Sequence, residues 1–324
     1  MTEKLSFVTV VFESEVDLLI LQARSMDRYL DPGLLQELVV IDNSARGMRP
    51  THVARLRQEY GKHAEALRVL RPHDIAAVPR SVGWQAQQVL KLAVARLLST
   101  RHYVALDAKN HLVAPVERSF FLSPEGKPRV NAYSYENHPL RRGLERVLRY
   151  VGLEPADYVQ WFTATVTPFV LETAQVDSLI ADVERASGRA FADEFVNADL
   201  LEFFLYSAWT VSRGAPLDQH FDLHQVFCPN IWRGDSSTGA VRSAISRAQD
   251  EPTPFFSVHR RALARLDDEA LALLSEFWTS RSLFPSEPEA RDFLQAFRRS
   301  FKAGERRRKL REAPAKLRAR LTAP

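Results

Sequence analysis

The 324-residue sequence predicts an α/β fold in which a mostly parallel sheet is flanked by helices and joined to a mainly helical C-terminal half. Three observations predict it. Apolar, β-branched runs alternate with helix-length segments through the first 115 residues, the pattern of a parallel sheet with crossover helices. The runs are nearly continuous, as expected of strands buried on both faces. Two of them end on an aspartate, Asp42 and Asp107, and open α/β sheets bind ligands outside the carboxyl ends of their strands.

The first strand is Leu5 to Phe12, rich in Val, Thr and Phe. Ser14 and Asp17 form a capping-box pattern, and Val16, Leu19, Ile20, Ala23, Met26 and Leu30 follow at helical spacing. A second strand, Leu38 to Ile41, ends at Asp42-Asn43-Ser44. A helix near His52 to Tyr60 leads to a third strand from Ala66 to Leu70. A helix beginning at Gly83 precedes the strand Tyr103 to Leu106, which ends on Asp107-Ala108-Lys109-Asn110. After Pro115 the pattern changes. A short strand is expected at 129–133, a helix from Pro139 closed by Gly152, and one strand from Trp161 to Leu171. The rest reads as mostly helical. Residues 1–115 therefore form an α/β half, 116–297 a second half packed directly on it, and 298–324 a basic tail.

Composition bounds the function. Hydrophobic residues are 45% and charged residues 26%, the proportions of a globular chain with a substantial core. The single cysteine, Cys228, forms no intramolecular disulfide, which fits a reducing compartment. No signal peptide and no membrane-spanning stretch are read from the sequence, so a cytoplasmic protein is expected. The net charge of +4 is uneven: from Arg298 to Arg320 eleven Lys or Arg face only Glu305 and Glu312, so a tail of +9 follows a body of −5. Such a tail suits an anionic membrane surface or nucleic acid, or is a solvated helix end; the acidic body argues against nucleic acid. The motifs G-x-x-x-x-G-K-[ST], G-x-G-x-x-G and G-x-S-x-G do not occur, which removes the common NTPase, dinucleotide and serine-hydrolase readings.

Two helices carry a polar stripe on an otherwise apolar surface. Trp84, Gln87, Gln88 and Lys91 fall at i, i+3, i+4 and i+7, opposite Ala86, Leu90, Ala93 and Leu97. Near 199–213, Asp199, Glu202, Tyr206, Thr210 and Arg213 repeat the device among Leu, Phe and Val. A polar stripe on a buried helix needs partners. The first either faces a ligand or bonds neighbouring loops. In the second, Glu202 facing Tyr206 is either an internal network or a general base tuned by burial. Asp42-Asn43-Ser44 is open to a nucleotide contact or an Asx turn. His220 and His224 have helical metal-ligand spacing but no third ligand.

Taken together, Gly83-Trp84-x-x-Gln87-Gln88-x-x-Lys91-Leu92, Leu106-Asp107-Ala108-Lys109-Asn110, Glu202-x-x-Leu205-Tyr206 and Phe256-Ser257-Val258-His259-Arg260 resemble a bacterial family assigned to the GT-A-type glycosyltransferases of capsule and polysaccharide gene clusters. The resemblance spans roughly residues 5–261. It implies a GT-A-like (Rossmann-like) fold that moves a sugar from a nucleotide-sugar donor to a saccharide or lipid-linked acceptor; one reading of the basic tail adds a peripheral place at the inner membrane face. It places Asp42 near the nucleoside. Trp84, Gln87, Gln88, Lys91, Lys109, Asn110 and Arg260 become donor contacts, and Glu202 the acceptor base if the reaction inverts. Asp107 opens the acid-x-acid metal motif, and His259 completes a site for Mg²⁺ or Mn²⁺, which would offset charge on the leaving diphosphate. The second acid of that motif is replaced by Lys109. Two readings follow: Asp107 and His259 hold the metal with Asn110 assisting, or Lys109, Lys91 and Arg260 supply the positive charge themselves. A non-catalytic nucleotide- or glycan-binding protein of the same fold is the alternative function.

Overall fold

The computed structural model describes residues 3–78, 83–223, 228–251 and 253–321, with side chains to residue 307. The chain order is β1 (Leu5–Val11), α1 (Val16–Tyr29), β2 (Leu35–Asp42), α2 (Pro50–Tyr60), β3 (Leu67–Leu70), α3 (Gly83–Ala93), β4 (His102–Asp107), β5 (Asn110–Leu112), α4 (Arg118–Phe121), β6 (Ala132–Tyr133), α5 (Arg141–Tyr150), β7 (Phe162–Thr163) and β8 (Phe169–Glu172). It continues with α6 (Thr173–Ser187), α7 (Phe191–Asn197), α8 (Glu202–Ser212), α9 (Leu217–His220), β9 (Asn230–Ile231), α10 (Thr238–Asp250), β10 (Phe255–Val258), α11 (Arg260–Leu263), α12 (Asp268–Ser280) and α13 (Glu287–Leu321).

The main sheet runs β3-β2-β1-β4-β8, the first four strands parallel and β8 antiparallel. All seven residues of β1 are buried, so its polar members need internal partners. Ser6 donates to Glu37 at 2.9 Å and Thr9 to Gln22 at 2.8 Å. One face of the sheet packs on α1, α2, α10, α12 and α13, the other on α3 and α5 to α8. Each core draws residues from both sides of residue 115, so the two halves close a single three-layer body. A small sheet, β5-β10-β9, extends from the end of β4.

This order sets the site. The chain leaves β1 through α1 toward β2 and returns through α3 to β4 on the other side of β1, so connections diverge between β1 and β4. Such a switch point opens a crevice at the strand ends. There Val10 pairs with Asp107.

Several local expectations change. The strand expected from Trp161 to Leu171 is two, β7 and β8. Pro168 has no N–H for a ladder, and Thr165, Val166 and Thr167 between them line the cleft described below. The helix expected at Asp199 starts at Glu202, because Asp199 adopts a left-handed conformation (φ 50°) that helix interiors do not accept. The Ser14–Asp17 capping box does not form; Glu15 is the N-cap of α1, without a side-chain cap bond. His224 lies outside the described residues. The described part of the basic tail continues α13, whose Phe297 is buried against the core and Phe301 packed beside it. Among the described residues no helix is long and apolar enough to cross a membrane.

Candidate functional site

A cleft of about 550 Å³ opens at the switch point, within the usual range of about 300–1,000 Å³ for small-molecule sites. Its floor is the segment after β1 (Phe12 to Glu15) and the corner after β4 (Asp107 to Lys109). One wall is α3 and the start of α8, with Trp84, Gln87, Gln88, Lys91 and Glu202. The other is Asn230, Trp232, His259 and Arg260 from β9, β10 and α11. The Trp84 stripe of α3 and, from the second stripe, Glu202 alone thus meet the Asp107 corner in one hollow.

The corner is fixed from beneath. Asp107 N–H donates to Asn110 Oδ1 at 2.7 Å, closing the turn, and Asn110 Nδ2 donates to Ser257 Oγ at 2.6 Å. Gln22 Nε2, on α1, donates to the carbonyls of both Asp107 and Asn110 at 2.9 Å. Asn110 is fully buried and absent from the cleft lining. The structure therefore corrects its reading as a donor contact: its amide is consumed in holding the turn.

Asp107 lies between two ammoniums, Lys91 Nζ on Oδ1 and Lys109 Nζ on Oδ2, both at 2.7 Å, and accepts from Thr167 Oγ1 at 3.2 Å. Burial works to raise its pKa, but Lys109 and Lys91 outweigh it and hold the carboxyl well below the usual range. Lys91, itself buried, reaches Glu202 Oε1 at 3.6 Å and lies 5.3 Å from the Phe203 ring centre. Burial works against its charge, yet Asp107 and Glu202 together raise its pKa. Burial also raises the pKa of Glu202, opposed by Lys91. Phe203 stacks on Phe169 of β8 with ring centres 4.2 Å apart, which seats α8 and directs Glu202 inward. The expected Glu202–Tyr206 pairing is absent: Tyr206 Oη accepts from the Glu172 N–H and donates to Gln175. Gln88 Oε1 accepts the N–H of Glu202 at 3.2 Å, leaving its buried Nε2 without a partner.

On the opposite wall Lys109 lies 5.4 Å from the ring centre of Trp232, which is 48% exposed. His259 caps α11, its Nδ1 accepting from Arg261 N–H at 3.1 Å. Burial, reinforced by Lys109, Arg260, Arg261 and Arg233, lowers its pKa to about 4. Arg260 pairs with Glu15, whose pKa burial raises against that cation. Glu15 went unread in the sequence; its one signal was its place a few residues beyond the central strand. Trp232 and Thr165–Thr167 gave none.

Asp42 does not line the cleft. Arg71 takes Oδ2 at 2.6 Å, Met48 N–H donates to the same oxygen, and Ser44 N–H closes an Asx turn on Oδ1 at 3.1 Å. Its carboxylate organises the loop after β2 rather than facing the hollow.

Asp107 and His259 do not form a metal site as they stand. Both carboxylate oxygens receive ammonium protons, and the imidazole is surrounded by four cations. Among the described residues no three His, Cys, Asp or Glu side chains cluster to hold a metal ion.

Residues 11–244 match the model described as "Family of unknown function (DUF6492)". The chain belongs to that family. No curated protein matches the DUF6492 chain. Among solved structures it is similar to the bifunctional glycosyltransferase WbbM in its apo form, at a TM-score of 0.51 and 12% identity over 90% of this chain and 52% of WbbM. It thus spans about half the length of WbbM. The galactosyltransferase LgtC, solved with donor and acceptor sugar analogues, aligns at a TM-score of 0.48 and 10% identity, covering 89% of this chain and 100% of LgtC. The apo glycosyltransferase GlyE of Streptococcus pneumoniae TIGR4 aligns at 0.41 and 13%, covering 88% and 65%. The WbbM likeness shows a shared fold: a GT-A-like, mostly parallel α/β sheet with a helical C-terminal region.

Proposed function

We propose that this DUF6492 protein is a glycosyltransferase that moves a sugar from a nucleotide-sugar donor to a saccharide or lipid-linked acceptor. The observation that carries the reading is the meeting, at the β1/β4 switch point, of a cationic wall and a carboxylate-bearing wall. The fold shared with WbbM supports it.

Lys109 and Arg260 would receive the diphosphate, where charge-assisted bonds are strongest. As the sugar–phosphate bond breaks, negative charge grows on the leaving oxygen, and cations already fixed in a partly dry site stabilise it without reorganising. Lys109 stands at the position of the second acid of the metal motif, and we propose that these cations replace the metal. Glu202 would take the proton of the acceptor hydroxyl; burial raises its proton affinity toward that of a working base. Asp107 would hold Lys91 and Lys109 apart at their working positions.

The test is release of nucleoside diphosphate from UDP- and GDP-sugars with an acceptor panel, repeated in excess EDTA. Turnover that survives EDTA supports both parts; turnover abolished by EDTA and restored by Mn²⁺ removes the metal-free part alone. Stabilisation by a nucleoside diphosphate without turnover on any donor would select the binding-protein alternative. For the basic stretch on α13 we propose an anionic membrane surface as partner, at the inner face of the bacterial membrane. Equal co-sedimentation of the full chain with anionic and neutral vesicles would remove it.

A further inference from the structure

The cleft holds two kinds of polar group, and only one kind can meet a ligand without giving up a partner. The charged side chains at its centre pair with one another: Asp107 with Lys91 and Lys109, Glu202 with Lys91, and Glu15 with Arg260. Neutral groups beside them are uncommitted. Gln87 of α3 and Thr165 between β7 and β8 line the hollow, each partly buried, and neither side chain makes a hydrogen bond among the described residues. Trp84, one turn before Gln87, is 61% exposed at the rim, and its ring meets no other ring and no cation among the described residues. Trp232 on the opposite wall, by contrast, lies against Lys109.

On α3 these neutral groups form a row that leads away from Glu202. Gln87 lies one turn, about 6 Å, and Trp84 two turns, about 10 Å, before Lys91 along the helix, and Lys91 Nζ is 3.6 Å from Glu202 Oε1. A side-chain amide both donates to and accepts from sugar hydroxyls, and an indole face receives the C–H face of a pyranose. With the reacting hydroxyl at Glu202, a row of this length exceeds a single ring. A nucleobase also stacks on an aromatic face. The groups proposed for the diphosphate, Lys109 and Arg260, lie on the wall across from Trp84, however, and Trp232 provides a ring there.

We infer that Trp84 and Gln87 form the acceptor subsite, rather than the donor contacts expected of them, and that the acceptor is a glycan at least two sugars long. The reacting ring sits between Glu202 and Gln87, with the Thr165 hydroxyl as a further partner, and the next ring lies on Trp84. The acceptor oxygen bonds to the anomeric carbon as the bond from that carbon to the phosphate oxygen breaks. Its proton passes to Glu202, and the electron pair of the broken bond leaves with the nucleoside diphosphate. The inference rests on the transferase reading above and adds to it the class of acceptor. It also sets a place in a reaction sequence: an earlier glycosyl transfer must supply the disaccharide that this protein extends.

Two measurements on the full-length protein test it. The first is calorimetric titration of UDP and GDP into the wild type, Trp84→Ala, Trp84→Phe and Gln87→Ala, with a thermal melt to check that each variant folds. The affinity for whichever nucleotide binds is expected to stay within about twofold throughout. The second is transfer from UDP- and GDP-sugars to methyl glycosides of glucose, galactose, mannose and N-acetylglucosamine, to methyl disaccharides of the same sugars, and to polyprenyl-diphosphate-linked N-acetylglucosamine. A disaccharide is expected to exceed its monosaccharide in kcat/KM by about tenfold or more. Trp84→Ala should erase that margin by raising the acceptor KM, Trp84→Phe should keep most of it, and Gln87→Ala should weaken both acceptors. Loss of nucleotide affinity in Trp84→Ala puts the nucleobase on that ring and overturns the inference. A monosaccharide that serves as well as any disaccharide, or transfer to the polyprenyl acceptor alone, also overturns it; all three outcomes leave the transferase reading standing. If neither nucleotide binds, or no acceptor of any kind is used, the transferase reading fails and the inference falls with it.

Discussion

The two walls of the cleft handle buried charge in opposite ways. On the α3/α8 wall a single ammonium, Lys91, is shared between Asp107 and Glu202. On the β10/α11 wall Lys109 and Arg260 line the hollow, with Arg233 and Arg261 also acting on His259, and the near counter-charges are Asp107 on Lys109 and Glu15 on Arg260. The first arrangement suits handling of protons on neutral hydroxyls, the second reception of a multiply charged anion. Asp107 stands between them and touches a lysine of each.

The sharpest way to break this division is Lys91→Met, a change nearly neutral for helix propensity. It strips the buried Glu202 of its cation and leaves the half-buried Asp107 with Lys109 alone. Removing one partner of a buried pair costs about 3–5 kcal/mol, and urea unfolding should show a loss of that order. A loss below about 1 kcal/mol would mean the carboxylates are solvated and the wall is not a closed network. Surviving activity should shift as well: Lys91 opposes the rise of the Glu202 pKa, so without it the base stays protonated to higher pH and the acid limb of kcat moves up.

Glu202→Gln isolates the α3/α8 wall. Loss of a general base lowers kcat by about 10²–10⁴, with the affinity for nucleoside diphosphate unchanged. A parallel fall in nucleotide affinity would show that the walls are not separable. Lys109→Ala and Arg260→Ala probe the other side. Each removes one charge-assisted contact, expected to weaken diphosphate binding by about tenfold or more and to flatten its salt dependence. If kcat alone falls, the anion lies elsewhere.

The smallest effect is expected at His259. Its pKa is lowered from 6.5 to about 4 in the folded protein. Between these values the unfolded chain binds more protons, so stability falls as pH drops through that window. His259→Asn keeps a capping side chain and should lessen that acid slope in thermal melts. His111, also lowered to about 4 by burial, keeps part of it. An unchanged slope would place His259 in contact with water rather than in the cationic shell.

Much of this architecture was legible in the sequence because it is periodic. The runs ending at Asp42 and Asp107 are continuous and apolar, and they became parallel strands. The stripes on α3 and α8 stood out because a buried helix exposes any polar i, i+3, i+4, i+7 pattern. Partnerships across the fold were not legible. Nothing local distinguishes Asp42, held by Arg71 at 2.6 Å, from a free strand-end acid. Nothing local says that Glu202 faces Lys91, 111 positions earlier in the chain, rather than Tyr206 one turn away. Nothing local marks Glu15 as a cleft residue, or Asn110 as the brace of the corner rather than a donor contact. Their roles follow from which strands lie side by side, and a period of 2 or 3.6 carries no such information.

Gln22 has a consequence for how the molecule matures. Its amide joins a helix made within the first 30 residues to a turn 85 and 88 positions downstream. Contacts of such separation require loop closure and form slowly relative to local ones. During synthesis the β4–β5 corner therefore has no complete support until the opening strand and helix have docked beside it. Any shortened chain lacking that opening unit would keep Asp107, Lys109 and Asn110 in sequence but lose the clamp that gives them a common geometry.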